Sequence, residues 1–400
     1  MPIQTTTNLS NAVRAKYDGE YLEALMMRRV YDMYAVGIKE TLRKLEAGPW
    51  LASSYVYNFL SDMTPATSAV SQSVDIIPQV LRDATGSITP TSRADALQWS
   101  EALDLQEYTG YGSARFKAIA KNEMESIDLL AQSAALTGGL VKRAAARASL
   151  DAGTSGNRFT DTVIAQMAAR VKALKCPPFD NGSLMVTVHT DAFYDLLQGG
   201  NVVTIAQQVR PEILQNQKLG QWGDFTINST PWAKVFGAAG ADNASNVATT
   251  ISSAANALAT SVVVASASNI VAGMQLTVGT EETGDTHYPT NEIVFVDDSY
   301  TSGTTIPIIG EGANGGLRFD HASGAGVRNA DNVYPAVFGG KASLVKVYAE
   351  SIGEFGSAPI LKESGVVNQF STLGWKFYGG YGLVADNYIA RGEYSSSLQA

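Results

Sequence analysis

The chain has 400 residues, of which 45% are hydrophobic and 17% charged, and its net charge is −9. That length suits two or three sub-domains, and the acidic balance argues against a general basic face for gripping DNA. A single cysteine, Cys176, excludes an intrachain disulfide and a Cys-Cys zinc site and fits a reducing compartment such as a bacterial cytoplasm. The N-terminal stretch MPIQTTTNLSNAVRAKY has no apolar signal-peptide core, and nowhere do about 18 apolar residues run together as a membrane span requires.

Residues 1–17 are polar and read as an arm. From Asp18 to Glu46 the spacing predicts a helix, with Leu22, Leu25, Met26, Val30 and Met33 on one face and Gly48-Pro49 as its stop. Arg28, Asp32, Lys39 and Glu40 fall on the opposite face, which reads as solvated. Residues 50–100 change character. Pro65, Pro78 and Pro90 interrupt Ser, Thr, Val and Ile, and YVYNFL and VDIIPQV read as strands of an extended ribbon that needs a partner to cover it.

The strongest helical signal runs from Tyr108 to Leu150. Phe116, Ile119, Ile127, Leu130, Ala134, Val141, Ala145 and Ala148 form one apolar stripe. If continuous, roughly 40 residues would span about 60 Å, with Gly138-Gly139 as the place to bend or end. The cations Lys142, Arg143 and Arg147 would then complement the helix dipole; a DNA-facing role is the lesser reading. A second helix, Thr160 to Lys175, turns Val163, Ile164, Met167 and Val171 inward and stops at Pro177-Pro178. SLMVTVH reads as a buried strand and DAFYDLL as a short helix; RPEILQNQKLGQWGDFTINST reads as helix, turn at Gly220 and Gly223, and strand.

Residues 240–325 form a separate block in which SVVVA, MQLTV, EIVFV and TIPII read as strands. It carries nine carboxylates (Asp242, Glu281, Glu282, Asp285, Glu292, Asp297, Asp298, Glu311 and Asp320) against Arg318 alone, which reads as an acidic β-insertion on an exposed surface. Mixed strands follow: AVFGG, SLVKVYA and STLGWKFYGGYGLVADNYIARGEY.

No convergent chemistry emerges. His189, His287 and His321 have no second His or Cys at metal-ligand spacing. A calcium ion beside Glu281, Glu282 and Asp285 is weighed, but without EF-hand spacing a solvated loop is the better reading. Gly310 to Gly315 matches G-x-G-x-x-G with no helix after it to receive a pyrophosphate. Cys176 reads as a packing residue. No catalytic residue, cofactor or metal is expected, and no enzyme.

The order of arm, helix, extended loop, long helix, α/β region with β-insertion and aromatic closing strands resembles the Hong Kong 97-type capsid fold, an α+β fold with a long spine helix. In detail the chain resembles the major capsid family typified by coliphage N-four. The resemblance lies in TVIAQMAARVKALKCPPFDNGSLMVTVHTDAFYDLL, in which Thr190 stands where the family has proline, in Gly220, Gly223 and Ser229, and in Tyr334, Pro335, Phe338 and Gly339. It covers most of 100–235 and 330–395; the segment 50–100 departs from it.

The resemblance implies an N-terminal arm and helix at 1–50, an extended loop at 51–104, the spine helix at 105–157 and the first part of an axial domain at 158–239. The insertion at 240–325 and closing strands at 326–400 complete it. It implies the shell subunit of a tailed phage, in hexamers and pentamers around double-stranded DNA in the virion, assembled in the host cytoplasm. A separate scaffold, since no long helical segment precedes the arm, a portal and a decoration protein on the insertion are the implied partners, with no membrane. An encapsulin-like nanocompartment shell is the alternative. Tyr55, Tyr57 and Phe59 are the expected loop contacts, and Arg82 and Arg93 the charge partners, at the subunit interface. Residues 51–100 contain no lysine, so a lysine-to-asparagine crosslink from this loop is not expected.

Overall fold

The computed structural model describes residues 30–35, 39–42, 54–60, 78, 83–100, 111–138, 140–199, 221–237, 239–240, 247–280, 290–329, 332–349, 356, 360–364, 369–384 and 388–399. Outside them lie most of the helix expected at 18–46, VDIIPQV save Pro78, the helix expected at 210–218, and the loop with His287.

Strands β1 (Lys39–Leu42), β2 (Tyr55–Leu60), β3 (Asp83–Ile88) and β4 (Thr91–Ser100) precede helix α1 (Tyr111–Leu136). Then come β5 (Leu140–Arg143), α2 (Asp161–Ala173), β6 (Leu184–Val188), α3 (Thr190–Leu197), β7 (Gln221–Trp222) and β8 (Phe225–Ser229). Six short strands follow: β9 (Ala248–Thr250), β10 (Ser261–Val263), β11 (Gln275–Gly279), β12 (Glu292–Val296), β13 (Thr305–Ile309) and β14 (Gly326–Arg328). The chain closes with β15 (Tyr334–Gly339), β16 (Leu344–Ala349), β17 (Ile360–Ser364), β18 (Phe370–Leu383) and β19 (Ile389–Tyr394). It divides into two units, Met1–Leu136 with Lys341–Asp386 and Thr137–Gly340 with Asn387–Ala400.

In the first unit, α1 packs on a sheet built around β18. Ile119, Ala120, Met124, Ile127, Ala131 and Ala135 are buried on α1. Their steps of one, three and four residues make a single stripe, which meets Leu373, Trp375 and Phe377, the alternate inward residues of β18. Trp375 Nε1 donates to Asn122 Oδ1 at 2.8 Å. The helix has 26 residues, about 39 Å at 1.5 Å each, not the 40 residues expected. It ends at Leu136, just before Gly138, and Val141 belongs to β5. The expected helix at 18–46 fails at 39–42, where β1 pairs parallel with β16; strand pairing overrides the helical spacing. Before it, Asp32–Ala35 form a 3-10 turn in which Met33 is exposed and Asp32 buried, the reverse of the expectation.

The second unit holds a sheet in the order β5-β19-β15-β6-β8-β7. Residues of β6 and β15 are buried throughout. Ile164, Met167 and Val171 of α2 and Ala192 and Leu196 of α3 complete that core. Cys176 is buried in it and donates to the Tyr388 carbonyl at 3.2 Å.

The six strands β9 to β14 run in the order β10-β13-β12-β11-β14-β9. A bridge between Ile251 and Val264, with Ser252 N–H to Val263 O and Ala265 N–H to Thr250 O, joins the two ends. The sheet therefore closes into a small barrel, which removes its edges. Val262, Val264, Leu276, Val294, Ile306 and Ile308 are among its filling. The barrel extends to Arg328, beyond the expected limit at 325. Its glycine run is structural: a Cβ on Gly312 or Gly316 would strike the backbone of Leu317 or Leu258. Glu292, one of the nine carboxylates, is buried, where it accepts from Arg318 N, Phe319 N and His321 Nε2.

Glu123 on α1 is fully buried, and neither carboxyl oxygen has a hydrogen-bond partner among the described residues. Burial pushes its carboxyl up to about 9. A carboxyl raised in the fold stabilises fully below its unfolded value and loses that contribution as pH rises towards its folded value, by about 1.4 kcal/mol per pH unit. Glu123→Gln should match the parent in denaturant stability near pH 4 and exceed it increasingly at pH 7 and 9; a difference independent of pH would refute this.

Candidate functional site

Strands β2 and β3 form a two-stranded hairpin in register from Tyr55 opposite Ile88 to Leu60 opposite Asp83. Alternation sorts its faces: Tyr55 and Tyr57 are half-buried, while Val56 and Asn58 are exposed. The tyrosine rings lie 6.4 Å apart and near parallel. Tyr57 lies across Gly86, and its hydroxyl donates to Leu383 O at 2.5 Å. Ile88, 4% exposed, packs on Gly380 and Gly382 of β18, where a Cβ would lie 2.9 Å and 2.6 Å from its side chain. Glycine is therefore what lets the hairpin seat on that strand.

Strand β4 continues from the hairpin and pairs antiparallel with β18 over ten residues, from Thr91 opposite Gly379 to Ser100 opposite Phe370. Among the described residues β4 pairs with β18 alone, so its other edge is open. Every residue from Thr91 to Gln98 is exposed, on both faces. Trp99 is partly covered by Arg115, whose Cζ stands 4.4 Å from the ring centroid. An open edge of this length, about 33 Å, is a template for another chain.

The structure brings Tyr55 and Tyr57 together and places Arg93 on β4, exposed, opposite Phe377. Phe59 is a residue of β2, opposite Ala84, and Arg82 lies outside the described residues. Sequence reasoning missed Ile88, Gly380 and Gly382; the signal was the run YGGYG inside a strand, where glycine marks close backbone approach.

His189 caps α3, accepting from Asp191 N at Nδ1, and Asp191 accepts from Tyr334 OH at 2.9 Å. Burial pushes the His189 imidazole down, with the Asp191 charge acting against it. The expected helix-end cluster is not one. Lys142 and Arg143 are on β5, and Arg147 is in a 3-10 turn. Arg143 and Arg147 both reach the buried Glu393 carboxylate, at 2.6 Å each, with Arg391 at 3.0 Å. Burial opposes ionisation of Glu393, but these arginines hold its carboxyl below the usual range. Among the described residues no group of three His, Cys, Asp or Glu side chains could hold a metal ion. No described helix is long and apolar enough to cross a membrane.

No protein-family model matches the sequence, and no curated protein does. Solved structures do. The capsid of Ralstonia phage GP4 is similar with a TM-score of 0.54 at 9% identity, over 92% of this chain and 91% of that one. The chain has the Hong Kong 97-type capsid fold. The capsid of cyanophage P-SCSP1u is similar at a TM-score of 0.52 and 9% identity, over 92% of this chain and 88% of that one. For the capsid asymmetric unit of cyanophage Pam1 the score is 0.51 at 10% identity, over 92% and 93%. At such identities the likeness is one of fold.

Tyr57→Phe should loosen the hairpin by about 1 kcal/mol, the worth of one hydrogen bond. Hydrogen exchange of the β3 amides should then speed up roughly five-fold with the α1 amides unchanged; equal exchange in both proteins would refute the role given to the hydroxyl.

Proposed function

We propose that this chain is the major capsid protein of a tailed bacteriophage, building hexamers and pentamers that close into an icosahedral shell around double-stranded DNA. The fold carries the reading, because phage capsid subunits share it over nine-tenths of the chain. The open edge of β4 and the outer face of the hairpin, with Val56 58% exposed, support it: a subunit built to be covered by its neighbours leaves such surfaces bare. Many modest contacts per subunit then sum to a stable shell. These neighbours are phage capsids and favour the phage reading over a nanocompartment.

The interface residues are Tyr55, Tyr57 and Phe59 on β2, Arg93 on β4, and Arg82. Membership of the N-four-type family is the finer reading, supported by Gly223 in a left-handed turn (φ +57°) between β7 and β8 and by Tyr334 and Phe338 buried in β15. A separate scaffold, a portal and a decoration protein on the barrel are the proposed partners, and the host cytoplasm the proposed place of assembly.

Negative-stain microscopy with light scattering should find closed shells or six-fold rings; a monomer that persists on co-expression with a scaffold would overturn the reading. Arg93→Glu should leave the melting temperature of the single chain unchanged, since exposed substitutions change stability by about 0.5 kcal/mol or less, while sharply cutting the yield of shells; full yield would remove Arg93 from the interface. Mature particles should run on denaturing gels as one 42.4 kDa band, because the loop lacks lysine; a covalent ladder would contradict this.

A further inference from the structure

Strands β12 and β13 turn alternate residues into the barrel and out of it. Val294 and Val296 of β12 and Ile306 and Ile308 of β13 fill its core, so Phe295 and Ile309 point outwards. They stand opposite one another in register and are 48% and 50% exposed. The next outward residues along the two strands, Ile293 and Pro307, are half-buried. Leu258, 59% exposed, adjoins them: its backbone lies against Gly316, and the Ile309 side chain lies against Gly315. Its φ of +70° holds an apolar side chain out in water where the backbone favours glycine. Neighbouring apolar side chains this exposed make a patch, unlike the scattered single residues of an ordinary surface.

Each of the three has a carboxylate beside it. Asp297 follows Phe295 by two residues, and hydrogen bonds from Ser299 hold its carboxyl below the usual range. Glu311, its side chain 43% exposed, follows Ile309 by two residues, with Arg318 at 3.6 Å. Asp320, exposed, accepts from the N–H of Ala257, next to Leu258. Because β12 and β13 are antiparallel, Asp297 and Glu311 flank the Phe295–Ile309 pair at opposite ends, each about 7 Å along its strand. A second barrel placed on this patch would set carboxylates against carboxylates, since the block 240–325 carries nine of them against one arginine. The charge selects a partner of the other sign.

We propose that Phe295, Ile309 and Leu258 form a docking patch for a different, basic protein, one that presents an apolar side chain flanked by lysine or arginine. The proposal rests on the capsid reading and gives the barrel's partner its chemistry. Apolar burial at the centre supplies the affinity, while the flanking carboxylates repel a second barrel and draw the basic partner in.

Hydroxyl-radical footprinting of Phe295 and Ile309, read by mass spectrometry, compares the unassembled chain, shells of the recombinant chain and purified phage particles. Both residues should react equally in the chain and in the shells, and roughly five-fold more slowly in the particles, where the partner excludes water. Equal reaction in all of them would overturn the patch. Protection already present in the recombinant shells would overturn it too, because a second copy then covers these residues. Particles carrying Asp297→Lys with Glu311→Lys should form in unchanged yield and lose the protection; protection that survives the reversal would show that the partner is not basic. Where the reversal prevents folding, Asp297→Asn with Glu311→Gln should still cut the protection about two-fold, and undiminished protection there would overturn the proposal. Shells that never form sink the capsid reading and the patch with it; shells that form while Phe295 stays reactive in the particles sink the patch alone.

Discussion

The first unit depends on the alternation along β18. Its inward residues Leu373, Trp375 and Phe377 meet the apolar stripe of α1. One edge pairs with β4 and the other with β16 and β17. Its last third, rich in glycine, accepts Ile88 and Tyr57 of the hairpin. A one-residue slip in register would turn the three aromatic and aliphatic residues outwards and put side chains where the hairpin needs bare backbone. The same strand therefore fixes the helix and the base of the hairpin.

Buried charge recurs in both units and is handled differently in each. In the second unit Glu393 sits among Arg143, Arg147 and Arg391, so ionisation is favoured despite burial. In the first, Asp32 accepts from Lys346 and Tyr381, Asp128 accepts from backbone donors beside the Asp32 carboxyl, and Glu123 has no hydrogen-bond partner among the described residues. Carboxyls with fewer compensating groups hold their protons to higher pH. The stability of the first unit is thus tied to proton binding, while Glu393 favours the opposite sense.

Much of the fold was legible as periodicity. The stripe on α1, the strand–helix pair β6 and α3, and the barrel strands β10 to β13 follow from spacing and turn residues alone, because burial on one face imposes a period on the sequence. Strands β9 and β14 were not legible, since ATT and GVR lack the apolar run that marks β10. Lys39–Leu42 carried a misleading one, and pairing with β16 overrode it. Asp32 was assigned to solvent by its charge, whereas Lys346 and Tyr381, more than three hundred residues away, bond its carboxylate in the fold.

What the sequence determined by itself is local: which segments are helix or strand, and that 240–325 is rich in short strands and carboxylates. It also excluded metal and disulfide chemistry based on paired cysteines, because a composition with one cysteine cannot supply it. What the tertiary structure decided is which distant segments meet. Closure of the barrel, the seat of the hairpin on Gly380 and Gly382, the exposed strand β4 and the pairing of the buried Asp32 with Lys346 all arise between residues far apart in the chain. Such contacts leave no period in the sequence, because each is set by the approach of two elements and not by the repeat of one.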